Sequence, residues 1–241
     1  MRELPENPAN AGDVLRSLVF YVVFYGGTAI YMVAATAALA VSGALIGRIA
    51  TAWSNFHRWC LQRILGIRVV LRGTLPERQV LVAAKHESYF DALDMPTLLD
   101  RPVMFPKAEL LRIPLWGKAA LAYGMVGVER DQGAKALRDM VSGARRLMAD
   151  GRTLAIFPEG TRVPHGTAPP LQAGFAGLYK MLELPVVPIA IDSGPVYHRK
   201  WKRPGTITVA VGEAIPPGLP REEVQRQVHA AINALNPVAG Q

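Results

Sequence analysis

Residues 80–91 read VLVAAKHESYFD, an apolar run of strand length that gives way to a polar turn and then to a helical pattern. Residues 80–84 carry no polar side chain, as expected of a strand buried on both faces of a sheet. Ser88 and Asp91 have the spacing of a capping box at the start of a helix. The stretch therefore predicts a strand, a tight turn and a helix, which is the repeating unit of α/β folds.

The chain on both sides of this unit alternates in the same way between short apolar runs and longer amphipathic patterns, so we expect an α/β fold beyond residue 66. Strands are predicted over residues 68–71, 80–84, 103–105, 125–128, 154–157, 186–191 and 206–211, and helices over residues 90–99, 114–123, 133–149, 175–182 and 221–235.

The N-terminal part of the chain contains 31 consecutive uncharged residues, 17–47, which is long enough for a membrane segment. A secretory signal peptide fits poorly, because the preceding residues are net negative and the apolar stretch is too long. One straight helix would measure about 46 Å at ~1.5 Å per residue, against a hydrocarbon core of ~30 Å. The segment must therefore tilt, break or turn back, and Gly26-Gly27 offers a break point.

The flank of this segment predicts its orientation. Residues 48–72 hold five arginines and no acidic residue, and such a flank stays in the cytoplasm. Apolar residues recur there at helical spacing, from Trp53 to Ile64, which fits either a helix at the membrane interface or an amphipathic helix on the domain core. We expect residues 1–66 to form a membrane anchor, made of segment 17–47 and this helix, and residues 67–241 to form a cytoplasmic domain.

Composition narrows the possible classes of function. The chain of 241 residues is half apolar, and its 27 lysines and arginines outnumber 19 acidic residues, for a net charge of +8. A basic surface suits an anionic partner such as nucleic acid, acidic lipid or a phosphorylated substrate. The single cysteine, Cys60, excludes an intramolecular disulfide and a cysteine-based zinc site.

Several common motifs are missing from the sequence. There is no phosphate-binding GxxxxGK[ST], no GxGxxG after a strand, no GxSxG and no HExxH. The five histidines lack the spacing of metal ligands, so we expect no metal. No nucleic-acid-binding module is recognisable, and we expect no nucleic-acid partner.

Polar residues that could carry chemistry follow the strand at 80–84. His86 in the turn and Asp91 in the first helical turn can meet, and a histidine oriented by a carboxylate is a general base. The alternative is that Asp91 serves only the capping box and bonds backbone instead of His86. Ser88 as a nucleophile is disfavoured, because a helix cap explains it.

A second polar cluster, PEGTR at residues 158–162, follows the strand at 154–157. Arg162 suits paired hydrogen bonds to a phosphate, Glu159 can accept from substrate hydroxyls, and Gly160 lets the backbone approach a ligand closely. A third candidate is residues 124–130, in which a strand delivers Arg130 to a loop, although a solvated surface arginine is the simpler interpretation.

Taken together and in this order, these blocks resemble the glycerophospholipid acyltransferase superfamily, and most closely the 1-acyl-sn-glycerol-3-phosphate (lysophosphatidic acid) acyltransferases. The likeness spans residues 80–191. The family's His-x4-Asp signature is matched by HESYFD at residues 86–91, which implies that His86 is the general base and Asp91 its orienting partner. The block FPEGTR at residues 157–162 is complete and implies substrate contacts, here assigned to Glu159, Gly160, Thr161 and Arg162.

Other blocks match with departures. Residues 124–130 resemble the family's second block and imply substrate binding by Arg130, with Gly127 where an aromatic residue is usual. Residues 107–110, KAEL, resemble a family stretch in which Lys107 would face the oxyanion or the substrate phosphate. Residues 184–190 resemble a fourth block, which implies a structural strand or a wall for the acyl chain. Lys85 stands where many members have asparagine, and Val163 where a small residue is usual.

The resemblance implies a single acyltransferase domain with a mixed central sheet flanked by helices, behind an N-terminal membrane-embedded helical segment. It also implies transfer of an acyl chain from acyl-CoA or acyl-carrier protein to the sn-2 hydroxyl of lysophosphatidic acid, giving phosphatidic acid in phospholipid biosynthesis. No cofactor is expected beyond that co-substrate. The expected partners are membrane lipids and the two substrates, at the cytoplasmic face of the inner (plasma) membrane.

Three rival functions remain open at this point. The same chemistry on another lysolipid, such as a lyso-ornithine lipid, would keep the mechanism and change the acceptor. A non-catalytic membrane lipid-binding protein would use the basic and aromatic run at residues 197–203 as its interfacial patch. A hydrolase would use water in place of the acceptor.

Overall fold

A mixed six-stranded sheet forms the centre of the molecule, which was analysed as a computed structural model describing residues 9–77 and 79–236. Its strand order is β1-β6-β5-β2-β4-β3, in which β2, β3, β4 and β5 are mutually parallel, β6 is antiparallel to β5, and β1 is parallel to β6. The strands are β1 Ile67–Arg72, β2 Leu81–Ala84, β3 Val103–Met104, β4 Leu154–Ile156, β5 Val186–Ile191 and β6 Gly205–Val211. The predicted α/β fold with a mixed sheet is confirmed.

Helices cover both faces of the sheet, because the side chains of β2 alternate between two apolar cores. Val82 and Ala84 face a core shared with α1, α2 and α3, whereas Leu81 and Ala83 face a second core shared with α5, α6 and α8. The helices are α1 Ala11–Ala38, α2 Gly43–Cys60, α3 Tyr89–Leu98, α4 Trp116–Tyr123, α5 Gly133–Met148, α6 Ala173–Leu182, α7 Gly194–Tyr197 and α8 Arg221–Ile232. Because β2 is buried on both sides, the whole strand is apolar.

The N-terminal segment forms a pair of helices. Of the three possibilities left open by the sequence, the structure shows the turning back: α1 runs unbroken through the possible break point at Gly26-Gly27, and the chain reverses at residues 39–42. The role of Gly27 is close packing between α1 and α2, since a Cβ atom there would lie 2.3 Å from the Phe56 ring. The segment therefore turns back on itself.

The outer face of α1 is strongly apolar. The apolar side chains of Val22 and Ile30 are 75% and 73% exposed. Within the described residues α1 is the single helix long and apolar enough to cross a membrane, and only 17% of its most apolar stretch is buried. Length and composition therefore allow a membrane span, while the reversal into α2 also allows both helices to lie within one leaflet.

Helix α2 fastens this pair to the domain. Ser54 Oγ donates to the Leu93 carbonyl of α3 at 2.6 Å, and the Arg58 guanidinium binds both oxygens of Asp94, at 2.9 and 2.5 Å. The apolar face of α2 packs against the core of the domain, with Cys60 fully buried. Of the two interpretations of the face from Trp53 to Ile64, the structure supports packing on the domain core.

The strand predicted over residues 125–128 is wrong. This stretch runs beside residues 104–108 at the outer edge of the sheet, where the Val126 amide donates to the Met104 carbonyl and the Val128 amide to the Pro106 carbonyl, both at 2.9 Å. The pairing amounts to an isolated bridge between Lys107 and Val128, because the neighbouring strand β3 is only two residues long.

Candidate active site

Most of the predicted site residues follow strands that end at one edge of the sheet. Strands β2, β3, β4 and β5 are parallel, so their carboxyl ends lie on the same edge. Residues 85–91 follow β2, residues 105–107 follow β3, residues 157–162 follow β4, and residues 192–193 follow β5. Ligands of open α/β sheets bind at this kind of edge.

His86 and Asp91 are in direct contact. The Asp91 side chain is fully buried, and its Oδ2 lies 3.1 Å from His86 Nδ1. The same oxygen accepts the backbone amides of Glu87 at 2.6 Å and Ser88 at 2.8 Å. Asp91 therefore does both things that were posed as alternatives, since it completes the capping box of α3 and also binds the histidine. With Nδ1 donating to Asp91, Nε2 is the basic nitrogen of the ring.

Phe157 holds the imidazole from the side. Its ring stacks on the His86 ring with centroids 4.1 Å apart and an interplanar angle of 19°. The next loop is also tied to this turn, because the Val163 amide donates to the His86 carbonyl at 2.7 Å. The His86 side chain is 15% exposed, so it is held by its neighbours and still open to a ligand.

The far oxygen of Asp91 is bound from β5. Ser193, two residues beyond the end of that strand, donates from its Oγ to Asp91 Oδ1 at 2.6 Å. Ser193 Oγ also lies 2.7 Å from Ser88 Oγ. Both hydroxyls are fully buried.

Lys85 and Glu159 form a buried ion pair behind the turn. Lys85 Nζ donates to Glu159 Oε1 at 2.6 Å, to Asn233 Oδ1 at 2.8 Å and to the Thr167 carbonyl at 3.0 Å. The other Glu159 oxygen accepts the His86 amide at 3.2 Å. Glu159 is 2% exposed, and its two oxygens are engaged by the protein. In this conformation Glu159 supports the turn and is not presented to a substrate.

The rest of the block at residues 158–162 lies at the surface. Thr161 and Arg162 are exposed, and the Arg162 guanidinium lies 3.9 Å above the ring of Tyr89, the first residue of α3. Gly160 has φ +73°, a left-handed conformation that favours glycine, and a Cβ there would lie 2.7 Å from Gln172 Cγ. The structure thus brings Arg162 to the helix that begins at the His86 turn.

The two remaining predicted residues lie further along the sheet. Lys107 is exposed and follows β3, which is separated from β2 by β4. The Arg130 backbone begins a short 3₁₀ turn, Arg130–Gln132, but its side chain lies outside the described part of the structure. Its predicted contact with substrate therefore stays a prediction.

A second histidine–carboxylate pair lies beside the first. His165 Nδ1 is 3.0 Å from Glu87 Oε1, and the Gly194 amide donates to Glu87 Oε2 at 2.8 Å. The hydrogen bond with Glu87 raises the pKa of His165 above its ordinary 6.5. Burial raises the pKa of Glu87, in opposition to its two hydrogen bonds.

An apolar cavity of about 120 Å³ lies between the N-terminal helix pair and helices α3 and α4. Ala92 and Pro96 of α3 form part of its wall, one to two turns beyond the start of that helix. Trp53 of α2 and Met32 of α1 line the opposite side. The cavity and the His86–Asp91 pair are therefore built on the same helix.

A family model described as Acyltransferase matches residues 66–192, which include every predicted site residue. The chain belongs to the acyltransferase family.

Comparison with individual acyltransferases agrees with this assignment. A 1-acyl-sn-glycerol-3-phosphate acyltransferase of Pseudomonas aeruginosa is 31% identical over 167 residues, covering 68% of this chain and 65% of the relative. The alpha form of the same enzyme from Mus musculus is 32% identical over 162 residues, covering 64% of this chain and 56% of the relative. These matches span less than two thirds of each relative's own length.

The fold has also been seen in a crystal structure. The 1-acyl-sn-glycerophosphate (LPA) acyltransferase PlsC from Thermotoga maritima superposes with a TM-score of 0.75, covering 95% of this chain and 98% of that chain, at 19% sequence identity. At that identity the likeness shows the fold of this acyltransferase, including its mixed sheet.

Three residues of this acyltransferase site were not predicted from the sequence. Phe157 was noted only as part of a block, and Lys85 only as a departure from the family. Ser193 was overlooked, although a signal existed, because polar residues in the loop that follows a buried parallel strand are expected at the ligand-binding edge.

Proposed function

We propose that this acyltransferase moves an acyl chain from an acyl thioester, acyl-CoA or acyl-carrier protein, to the sn-2 hydroxyl of lysophosphatidic acid, giving phosphatidic acid. The observation that carries the proposal is the contact of His86 with the buried Asp91 at the carboxyl edge of the sheet. Relatives named 1-acyl-sn-glycerol-3-phosphate acyltransferase support the choice of acceptor.

In the proposed reaction His86 Nε2 takes the proton of the acceptor hydroxyl, and Asp91 stabilises the imidazolium that forms. The hydroxyl oxygen attacks the thioester carbonyl carbon, forming a new C–O bond and an oxyanion. Collapse of the oxyanion breaks the C–S bond, and the leaving thiolate takes the proton back from His86. Lys107 is the proposed oxyanion or phosphate partner on the neighbouring part of the edge.

The apolar parts of the molecule suit a lipid reaction. The cavity beside α3 provides an apolar space for part of an acyl chain. The exposed apolar face of α1 provides a surface for the bilayer, and the net charge of +8 favours an anionic membrane surface. We infer that the protein acts at the cytoplasmic face of the inner membrane, where its arginine-rich flank would remain.

Arg162 is the proposed partner of the acceptor phosphate, because it is exposed and held above Tyr89. A lyso-ornithine lipid lacks that phosphate and would not need the same contact. Arg162→Ala is therefore expected to lower activity with lysophosphatidate more strongly than with lyso-ornithine lipid. Equal losses with the two acceptors would argue against a contact between Arg162 and the phosphate.

The decisive experiment is thiol release from acyl-CoA and from acyl-carrier protein by the detergent-purified protein, with and without lysophosphatidate. The wild type is expected to release thiol only with acceptor and to form phosphatidate, while His86→Ala is inactive and Asp91→Asn is slower by about 10³- to 10⁴-fold. His229→Ala, which removes a histidine of α8, is the matched control and should stay active.

Other outcomes of the same assay would overturn the proposal. Thiol release without acceptor would indicate a hydrolase, and an acyl-enzyme that accumulates without acceptor would contradict direct transfer. A wild type that is active only with other lysolipids would change the acceptor and keep the mechanism.

A further inference from the structure

The Asp91 carboxylate has a partner that is distant in sequence and comes from the loop after the neighbouring strand β5. Its Oδ2 is occupied by His86 and two backbone amides of its own turn, whereas Oδ1 accepts the hydroxyl of Ser193, 102 residues away in the chain. Ser193 is fully buried. A hydrogen bond to a charged group in such an environment is stronger than one between neutral groups.

The proton of every hydroxyl in this cluster has a defined position. Ser88 Oγ accepts the Phe90 amide at 3.2 Å as the cap of α3, and Ser193 Oγ donates to Asp91. Since Asp91 takes the proton of Ser193, the 2.7 Å contact between the two serines is made by Ser88 donating to Ser193. The bonds therefore run in one direction, from Phe90 through Ser88 and Ser193 to Asp91, and each polarises the next.

Ser193 is held in place independently of Asp91. The following amide, of Gly194, donates to Glu87 Oε2 at 2.8 Å, and a Cβ at residue 194 would lie 2.8 Å from that same oxygen, so glycine permits the approach. The preceding residue, Asp192, accepts the Thr208 amide of β6 at 2.5 Å. The backbone that carries the Ser193 hydroxyl is thus fixed on both sides beside Asp91.

We propose that Ser193 is a positioning residue of the acyl-transfer reaction, which fixes the Asp91 carboxylate and through it the orientation of His86. Without the Ser193 hydroxyl, Asp91 Oδ1 loses its side-chain partner, and the carboxylate is held through Oδ2 alone, so its orientation toward His86 Nδ1 is less tightly fixed. The hydroxyl does not touch the substrate, so its loss affects the chemical step and not substrate binding. The inference rests on the proposed role of His86 and Asp91.

The test compares wild type with Ser193→Ala, Ser193→Cys and Ser54→Ala in the acyl-transfer assay, with kcat and KM measured for both substrates. Ser193→Ala is expected to lower kcat by about 10- to 100-fold at unchanged KM, the range for losing one hydrogen bond to a charged group. Ser193→Cys keeps the volume and a weak donor, so its kcat should lie between the two. Ser54→Ala removes an equally buried hydroxyl that bonds the Leu93 carbonyl of α3, and should leave kcat within about two-fold.

Thermal unfolding of each variant identifies any that fail to fold. If Ser193→Ala does not fold, Ser193→Cys tests the proposal instead, because a thiol in the place of the hydroxyl should still lower kcat several-fold. The proposal is overturned if the folded Ser193 variants keep the wild-type kcat, if their loss appears in KM, or if Ser54→Ala loses as much. Should the wild type turn over a different lysolipid, the proposed acceptor fails and the same comparison is made with that lipid, so the two failures are distinguishable.

Discussion

Replacement of Lys85 by methionine is the perturbation whose consequence follows most directly from the structure. The side chains of Lys85 and Glu159 are both 0% exposed, with Nζ and Oε1 2.6 Å apart. Methionine keeps much of the length of the side chain and removes the ammonium. The Glu159 carboxylate is then buried without its cation, and Asn233 loses the donor that reached it from the turn.

The expected loss of stability is large. Removing one partner of a buried ion pair costs about 3–5 kcal/mol, because the other charge remains uncompensated. For a chain of this size each kcal/mol lowers Tm by about 2–4 °C, so Lys85→Met should lower Tm by about 6–20 °C. Adding Glu159→Gln removes the stranded charge, and the double variant should be more stable than Lys85→Met alone.

The assay is thermal unfolding of the detergent-purified protein at one scan rate, with acyl transfer measured in parallel. Lys180→Met, at an exposed position on α6, is the matched control and should change stability by no more than about 0.5 kcal/mol. The reasoning is refuted if Lys85→Met lowers Tm no more than Lys180→Met does, or if the losses of Lys85→Met and Glu159→Gln simply add in the double variant.

Two further predictions concern other contacts. The hydrogen bond with Glu87 raises the pKa of His165, so the protonated histidine stabilises the fold below pH 6.5, and this stabilisation is lost as the pH rises through the raised pKa. The Tm difference between wild type and His165→Ala should therefore be larger at pH 6 than at pH 8.5. An equal Tm difference at the two pH values would contradict this prediction. Gly27→Val should lower the stability of the fold by about 1–3 kcal/mol, because the new side chain forces the Phe56 ring away. Gly26→Val, whose Cβ would meet nothing within 4 Å, should lower Tm less. Equal Tm shifts for the two variants would count against close packing at Gly27.

The local sequence pattern was enough to predict most of the strands and the His86–Asp91 pair at the centre of the site. His86 and Asp91 are five residues apart, and their meeting depends only on a turn followed by a helix, which the sequence shows. The strand predicted over residues 125–128 failed for a different reason. Its apolar pattern is real, but a strand also needs a long neighbour, and β3 offers only two residues.

The contacts that support the His86–Asp91 pair could not be predicted from local sequence pattern, because they join distant parts of the chain. Ser193 meets Asp91 across 102 residues, and Lys85 meets Asn233 across 148. No periodicity encodes which strand lies beside which, and it is the pairing of β5 with β2 that brings Ser193 to the same edge as Asp91. Gly27 illustrates the same limit, since a glycine in a helix predicts either a break or a close approach until its neighbour is known.

Helix α3 joins the apolar N-terminal pair to the chemistry. Its first turn carries Asp91, and its next turn is bound to α2 through the two hydrogen bonds of Arg58 to Asp94. Asp94 is fully buried, and burial raises its pKa while Arg58 opposes that rise, so Arg58 is the charge partner that favours the ionised carboxylate. Because α2 holds the same helix that positions His86, the height of the base above the bilayer is set, on the proposed function, by the depth at which α1 and α2 are embedded. An acceptor hydroxyl close to the headgroup layer would then reach His86 without its acyl chain leaving an apolar environment, since the cavity beside α3 lies between that helix and the α1–α2 pair.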